Sequence, residues 1–183
     1  MHHHNHIFDD HALLKACYKE DIAAIAQSTI KRHGALEWRC ALLASELHGH
    51  VGIYSLLGVK MGLHARELLN AEAGELYVVS YAGSTPPVSC FNDGLQVSTE
   101  ATIGHGLIEV LHPFAPHAEA EFSTLSSHLR LRLKSERRAF IEQEIRSAIA
   151  HYGKETAYWD YVRELAISCW AEWSRGEIFE VIS

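Results

Sequence analysis

The stretch ELHGHVGIYSLLG (46–58) sets His48 and His50 on either side of Gly49, just ahead of an apolar run. Residues two apart on a helix project in nearly opposite directions, so the two imidazoles can share a ligand only in a loop, with Gly49 taking backbone angles closed to other residues. Two readings fit: a metal-ligating pair, or a polar turn that caps a helix. A second stretch, SCFNDGLQVSTEATIGHG (89–106), is expected to open a short helix with Cys90 in its first turn, where the helix dipole favours a thiolate. Asp93, three residues on, shares that face and is a candidate catalytic proton carrier, or could instead hydrogen-bond the glycine loop. Two imidazoles, a thiolate and a carboxylate make a ligand set for zinc or a similar divalent ion, nickel and iron included. Glu46, just before the histidines, is a candidate orienting partner or general base. His105, between Gly104 and Gly106, is expected to reach the same pocket as an extra ligand or proton carrier, the alternative being a solvent-facing loop histidine.

These residues need elements to position them. Asp9 or Asp10 can cap a helix running to about His33 and stopped by Gly34. Residues 36–47 read as a second helix and 51–70 as a third, whose Gly58 and Gly62 leave a bare stripe for close packing. ELYVVSYA (75–82) is the clearest strand and GLIEVL (106–111) a second, both expected at the centre of the sheet. LRLRLK, within 120–135, alternates and adds one or two strands. Its Arg130, Arg132 and Lys134 share a face, which predicts a solvated, aggregation-blocking edge or, alternatively, an anion-binding wall. Two helices then close the chain, the second carrying a stripe of Trp159, Val162, Ala166, Trp170 and Trp173 that suits core packing or a dimer contact. The order predicts an α+β fold with a mixed sheet flanked by helices, as one domain over 1–183, with a histidine-rich arm (1–8) and a C-terminal helical region (135–183).

The second block, read as C-x-x-D-x-[IL]-Q-x-x-T-x-x-T-x-G-x-G, together with the HGH block before a glycine-containing helix, resembles the FmdE family, which takes its name from formylmethanofuran dehydrogenase. The matching positions are His48, Gly49 and His50, then Cys90, Asp93, Gln96, Thr99, Thr102, Gly104 and Gly106. The resemblance implies a thioredoxin-like α+β core whose HGH and CxxD blocks line a site that a metal can occupy, with His48, His50 and Cys90 as ligands. The chain departs from the family at three site positions. No cysteine follows HGH, Ala101 replaces a second cysteine, and His105 replaces a lysine. Thiol redox chemistry is therefore not expected, and the family's C-terminal zinc finger is absent.

The chain has 183 residues, 48% hydrophobic and 21% charged, enough for one domain with a substantial core. Its net charge of -7 argues against general nucleic-acid binding, and no apolar run reaches the ~20 residues that span a bilayer. Four scattered cysteines fit a reduced cytoplasmic protein, with Cys17, Cys40 and Cys169 read as core. Of fourteen histidines, four fall in the first six residues, an arm that binds nickel or zinc opportunistically and is set aside. Two functions fit: an enzyme whose divalent metal acts on a small metabolite by Lewis-acid or hydrolytic-type chemistry, and a non-catalytic metal carrier or assembly factor. A homodimer is expected in either case.

Overall fold

Glycine and asparagine set the boundaries of the three leading helices in the computed structural model, which describes residues 18–182. Helix α1 (Glu20–His33) ends at Gly34 with φ +91°, α2 (Ala35–His48) at Gly49 with φ +83°, and α3 (Ile53–Leu69) at Asn70 with φ 48°. Each terminus needs a positive φ, which glycine and asparagine adopt at least cost. The helix ending at His33 begins at Glu20, with Lys19 extended before it, and not at Asp9 or Asp10. Asp9, Asp10 and Cys17 lie outside the described residues.

Strand β1 (Tyr77–Ser80) is followed by a tight turn at Val88–Cys90, helix α4 (Phe91–Thr99) and strand β2 (Ile108–Val110). The hairpin β3 (Glu119–Ser123) and β4 (His128–Leu133) comes next, then helices α5 (Ser135–Tyr152), α6 (Thr156–Glu172) and α7 (Arg175–Ile178), and strand β5 (Phe179–Val181). The sheet runs β2-β1-β3-β4-β5, with β1 and β2 parallel and every other pair antiparallel. This is an α+β fold with a mixed sheet, as expected.

Three expectations change. GLIEVL supplies an edge strand, and only ELYVVSYA is interior. The described residues end in a strand instead of a helix, because Phe179, Glu180 and Val181 alternate apolar and polar and Phe179 pairs with Leu133. Strand β4 is consequently covered on both sides and is no edge. Its Arg130 and Arg132 clamp Glu119, which is 1% exposed, through Nε contacts of 2.7 and 2.5 Å. Two guanidinium forks on one carboxylate satisfy a charge that burial would otherwise penalise.

Helix α3 is apolar around nearly its whole circumference and is buried from Ile53 to Leu63, as an all-round hydrophobic helix must be. Its glycines let α4 touch it backbone to backbone. A Cβ on Gly58 would stand 2.1 Å from the Phe91 carbonyl oxygen, and one on Gly94 1.9 Å from that of Ser55. The Gly58–Gly62 stripe is thus a packing surface, and Gly94 is its counterpart on α4. Lys60 on the same helix is 2% exposed and donates to Glu37 Oε1 at 2.5 Å, while Arg175 Nη1 holds Glu37 Oε2 at 2.8 Å. Burial pulls the Lys60 ammonium below its ordinary pKa, and Glu37 opposes that shift.

The tryptophan stripe divides. Trp170 stacks on Trp38 at 4.6 Å and Trp173 is buried, so core packing accounts for both; Trp159 is 55% exposed. Cys40 and Cys169 are buried, and burial raises their thiols to about 11 and about 12. Among the described residues no helix is long and apolar enough to cross a membrane.

Candidate metal centre

His48 is the last residue of α2, and Gly49, in the left-handed conformation, reverses the chain immediately after it. The reversal resolves the spacing problem: the two imidazoles lie with centroids 4.3 Å apart and planes tilted by 43°. Both reach over Gly52, the residue before α3. A Cβ placed there would lie 3.3 Å from His48 Nε2 and 3.4 Å from His50 Nε2, so both nitrogens border a space that a bare glycine keeps open.

The close approach of α3 and α4 brings Asp93 to this turn. His48 Nδ1 donates to Asp93 Oδ2 at 2.8 Å. A carboxylate acceptor at Nδ1 fixes the tautomer that leaves the lone pair on Nε2, the arrangement of metal-ligating histidines. His48 Nε2 is buried and has no hydrogen-bond partner among the described residues. A buried polar nitrogen without a partner is uncommon, and its free lone pair is chemically suited to a metal ion. Burial, followed by the neighbouring His48 and Arg163, lowers the pKa of His50 and favours its neutral, donor form.

Cys90 precedes the first residue of α4, one turn from Asp93, and is partly buried. Its thiol is pushed up, first by burial and then by the Asp93 charge, so the thiolate expected from the helix dipole is not favoured. Asp93 raises the cysteine and engages the histidine, which ties the two blocks electrostatically. Among the described residues no group of three or more His, Cys, Asp or Glu is placed to hold a metal ion.

Glu46 is exposed on α2, and its carbonyl accepts the Gly49 N–H at 3.3 Å. His105 is also exposed; its ring Nδ1 lies 3.3 Å from the Glu100 carbonyl and its N–H donates to the Thr102 hydroxyl, both on its own loop. The structure therefore joins His48, His50 and Asp93, sets Cys90 one turn away, and leaves Glu46 and His105 on the surface.

A family model described as "FmdE, Molybdenum formylmethanofuran dehydrogenase operon" matches residues 47–180. The chain belongs to the FmdE family. No curated protein matches it. The FmdE match takes in His48, His50, Cys90, Asp93 and His105 and begins one residue after Glu46.

Two residues at this FmdE site escaped sequence reasoning. Gly52 follows the HGH block by two positions, and its role appears only when both rings are seen above it. Trp159 meets the His50 ring edge-on at 6.5 Å, a contact that depends on α6 folding back across more than a hundred residues. The helical aromatic spacing pointed to Trp159 but not to its neighbour.

Proposed function

We propose that this FmdE-family chain binds a divalent metal ion, zinc or a similar ion such as nickel or iron, through His48 and His50 with Cys90 as the third ligand, and acts on a small metabolite by Lewis-acid or hydrolytic-type chemistry. The observation that carries this reading is the buried, unpartnered Nε2 of His48, oriented by Asp93 and paired over Gly52 with the Nε2 of His50. His48, His50 and Cys90 would hold the metal, which would supply Lewis acidity toward a substrate carbonyl or a water. The chain's own contributions are separate. Asp93 holds the Nδ1 proton of His48, the lowered pKa of His50 favours its neutral ring, and Trp159 meets that ring edge-on. With Asp93 engaged in that way, its role is to position His48; Glu46 and His105 stay candidate proton carriers only if they move toward the turn.

A non-catalytic metal carrier or assembly factor is the second reading. It is favoured by the incomplete donor set, since a site offering two prearranged imidazoles and a protonated thiol exchanges its ion more readily than a closed one. The family's association with a formylmethanofuran dehydrogenase operon suits an accessory role equally. A cytoplasmic location and a homodimer formed through the exposed Trp159 face belong to both readings, and light scattering tests the dimer. Chelator exchange separates the two functions. Zinc-loaded protein that transfers its ion to a competing chelator within seconds is a carrier; one that retains it for hours supports the enzyme.

A further inference from the structure

A cavity of about 250 Å³ lies at the β4–β5 end of the sheet, with Tyr54 at the start of α3 and Val88 ahead of Cys90 in its wall. Tyr54, His117, Arg132, Arg138, Glu142 and Glu180 supply its polar wall. Its volume is below the usual range for drug-sized ligands, which suits a metabolite of amino-acid size.

The hydrogen-bonding groups left over in this wall are of both signs. Arg132 spends its Nε on Glu119 at 2.5 Å, and no contact among the described residues engages either of its Nη atoms. Arg138 spends its Nε on Glu142 at 2.7 Å and its Nη1 on His117 Nδ1 at 2.5 Å, which leaves Nη2. Because Arg138 is the donor to Nδ1, His117 is neutral and carries its proton on Nε2, another donor. The remaining donors are the edges of two planar guanidinium groups, the geometry that matches a carboxylate.

Across from them is an uncommitted acid. Glu180 stands opposite Arg132 in the β4–β5 register, and no ion pair engages its carboxylate among the described residues. Glu119 beneath Arg132 is already shared with Arg130, so the wall itself sets Arg132 and Arg138 against Glu142 and Glu180. A simple anion would leave the Glu180 carboxylate without a counter-charge. A simple cation would leave the guanidinium edges unpaired. A molecule bearing both charges satisfies both sets, and Val88, Pro116 and Leu133 line the remainder with apolar surface for its carbon chain. From these unspent groups we infer that the cavity binds a small zwitterion, with its carboxylate on Arg132 and Arg138 and its ammonium on Glu180.

The inference is independent of the metal reading, and its test uses the full chain freed of metal by chelator. Calorimetric titration compares γ-aminobutyrate, β-alanine and L-alanine, which differ in charge separation, with butyrate and butylamine, which carry one charge each. At least one zwitterion is expected to bind tenfold or more tightly than both single-charge probes. Arg138→Gln should reduce it to the level of butylamine, and Glu180→Gln to that of butyrate. Both positions lie at the surface, and circular dichroism verifies that the variants fold. Zwitterions binding no better than butyrate and butylamine, or affinities unchanged in both variants, would overturn the proposal.

Discussion

Asp93 accepts the Nδ1 proton of His48 at 2.8 Å, across 45 residues of sequence and two helices. That contact joins the HGH block to the CxxD block and decides which nitrogen of His48 is free. Asp93→Asn keeps the shape but can present its amide group to Nδ1, which invites the other tautomer. Zinc affinity should fall by about 10–100-fold, the usual effect of losing a ligand-orienting carboxylate, while the thermal midpoint stays within a few degrees. Calorimetric zinc titration with a parallel melt checks both parts.

The distance between the two blocks depends on bare backbone contact between α3 and α4. A methyl group on Gly94 would meet the Ser55 carbonyl oxygen at 1.9 Å and the Val59 nitrogen at 2.5 Å, both of them backbone atoms. Gly94→Ala must therefore push α4 outward, costing about 1–3 kcal/mol or more and moving Asp93 away from His48. Urea unfolding should show the loss, and the histidine ring resonances in an NMR spectrum should shift.

Lys60 and Arg175 share Glu37, so the network is asymmetric. Glu37→Gln leaves Lys60 buried and without its counter-charge and should destabilise by about 3–5 kcal/mol. Lys60→Met leaves Glu37 paired with Arg175 and removes a buried ammonium, so it should cost distinctly less. Equal losses in the two variants by chemical denaturation would contradict this ordering.

His33, His64 and His117 all have folded-state pKa values below the ordinary 6.5, with burial as the leading cause in each. The unfolded chain therefore binds more protons than the folded one as pH falls through 6.5. Their contribution is complete above that value and is lost as pH drops toward the lowered folded values. Glu67 and Glu142, held below 4.5 chiefly by Arg175 and Arg138, add losses only at more acid pH. Stability measured in urea should be flat from pH 8 to 7 and decline between pH 6.5 and 5. A flat profile down to pH 5 would contradict the burial of these imidazoles.

Local chemistry made much of this structure readable. The helix ends at Gly34 and Gly49, the strand at Tyr77–Ser80 and the glycine stripe of α3 follow from backbone freedom, β-branching and side-chain size. The pairing of β5 with β4 was not readable, because three residues carry little periodic signal and the neighbour is fixed only by the finished sheet. The site divided the same way. The motifs pointed to His48, His50 and Asp93, which the fold brings together, whereas the surface position of His105 depends on how a six-residue loop folds back on Glu100. Gly52 and Trp159 gain their roles only from tertiary contact.

The central claim is that His48 and His50 form one metal-binding unit. Its most direct test is a calorimetric zinc titration of protein lacking residues 1–6, so that the N-terminal histidines do not contribute. One zinc per chain should bind, and His48→Ala and His50→Ala should each weaken it by roughly 100-fold or more, as expected when a direct ligand is lost. Trp159 emission should respond in wild type and not in either variant, because the indole meets the His50 ring. Absence of zinc binding in wild type, or undiminished binding in the His48→Ala/His50→Ala double variant, would contradict the account.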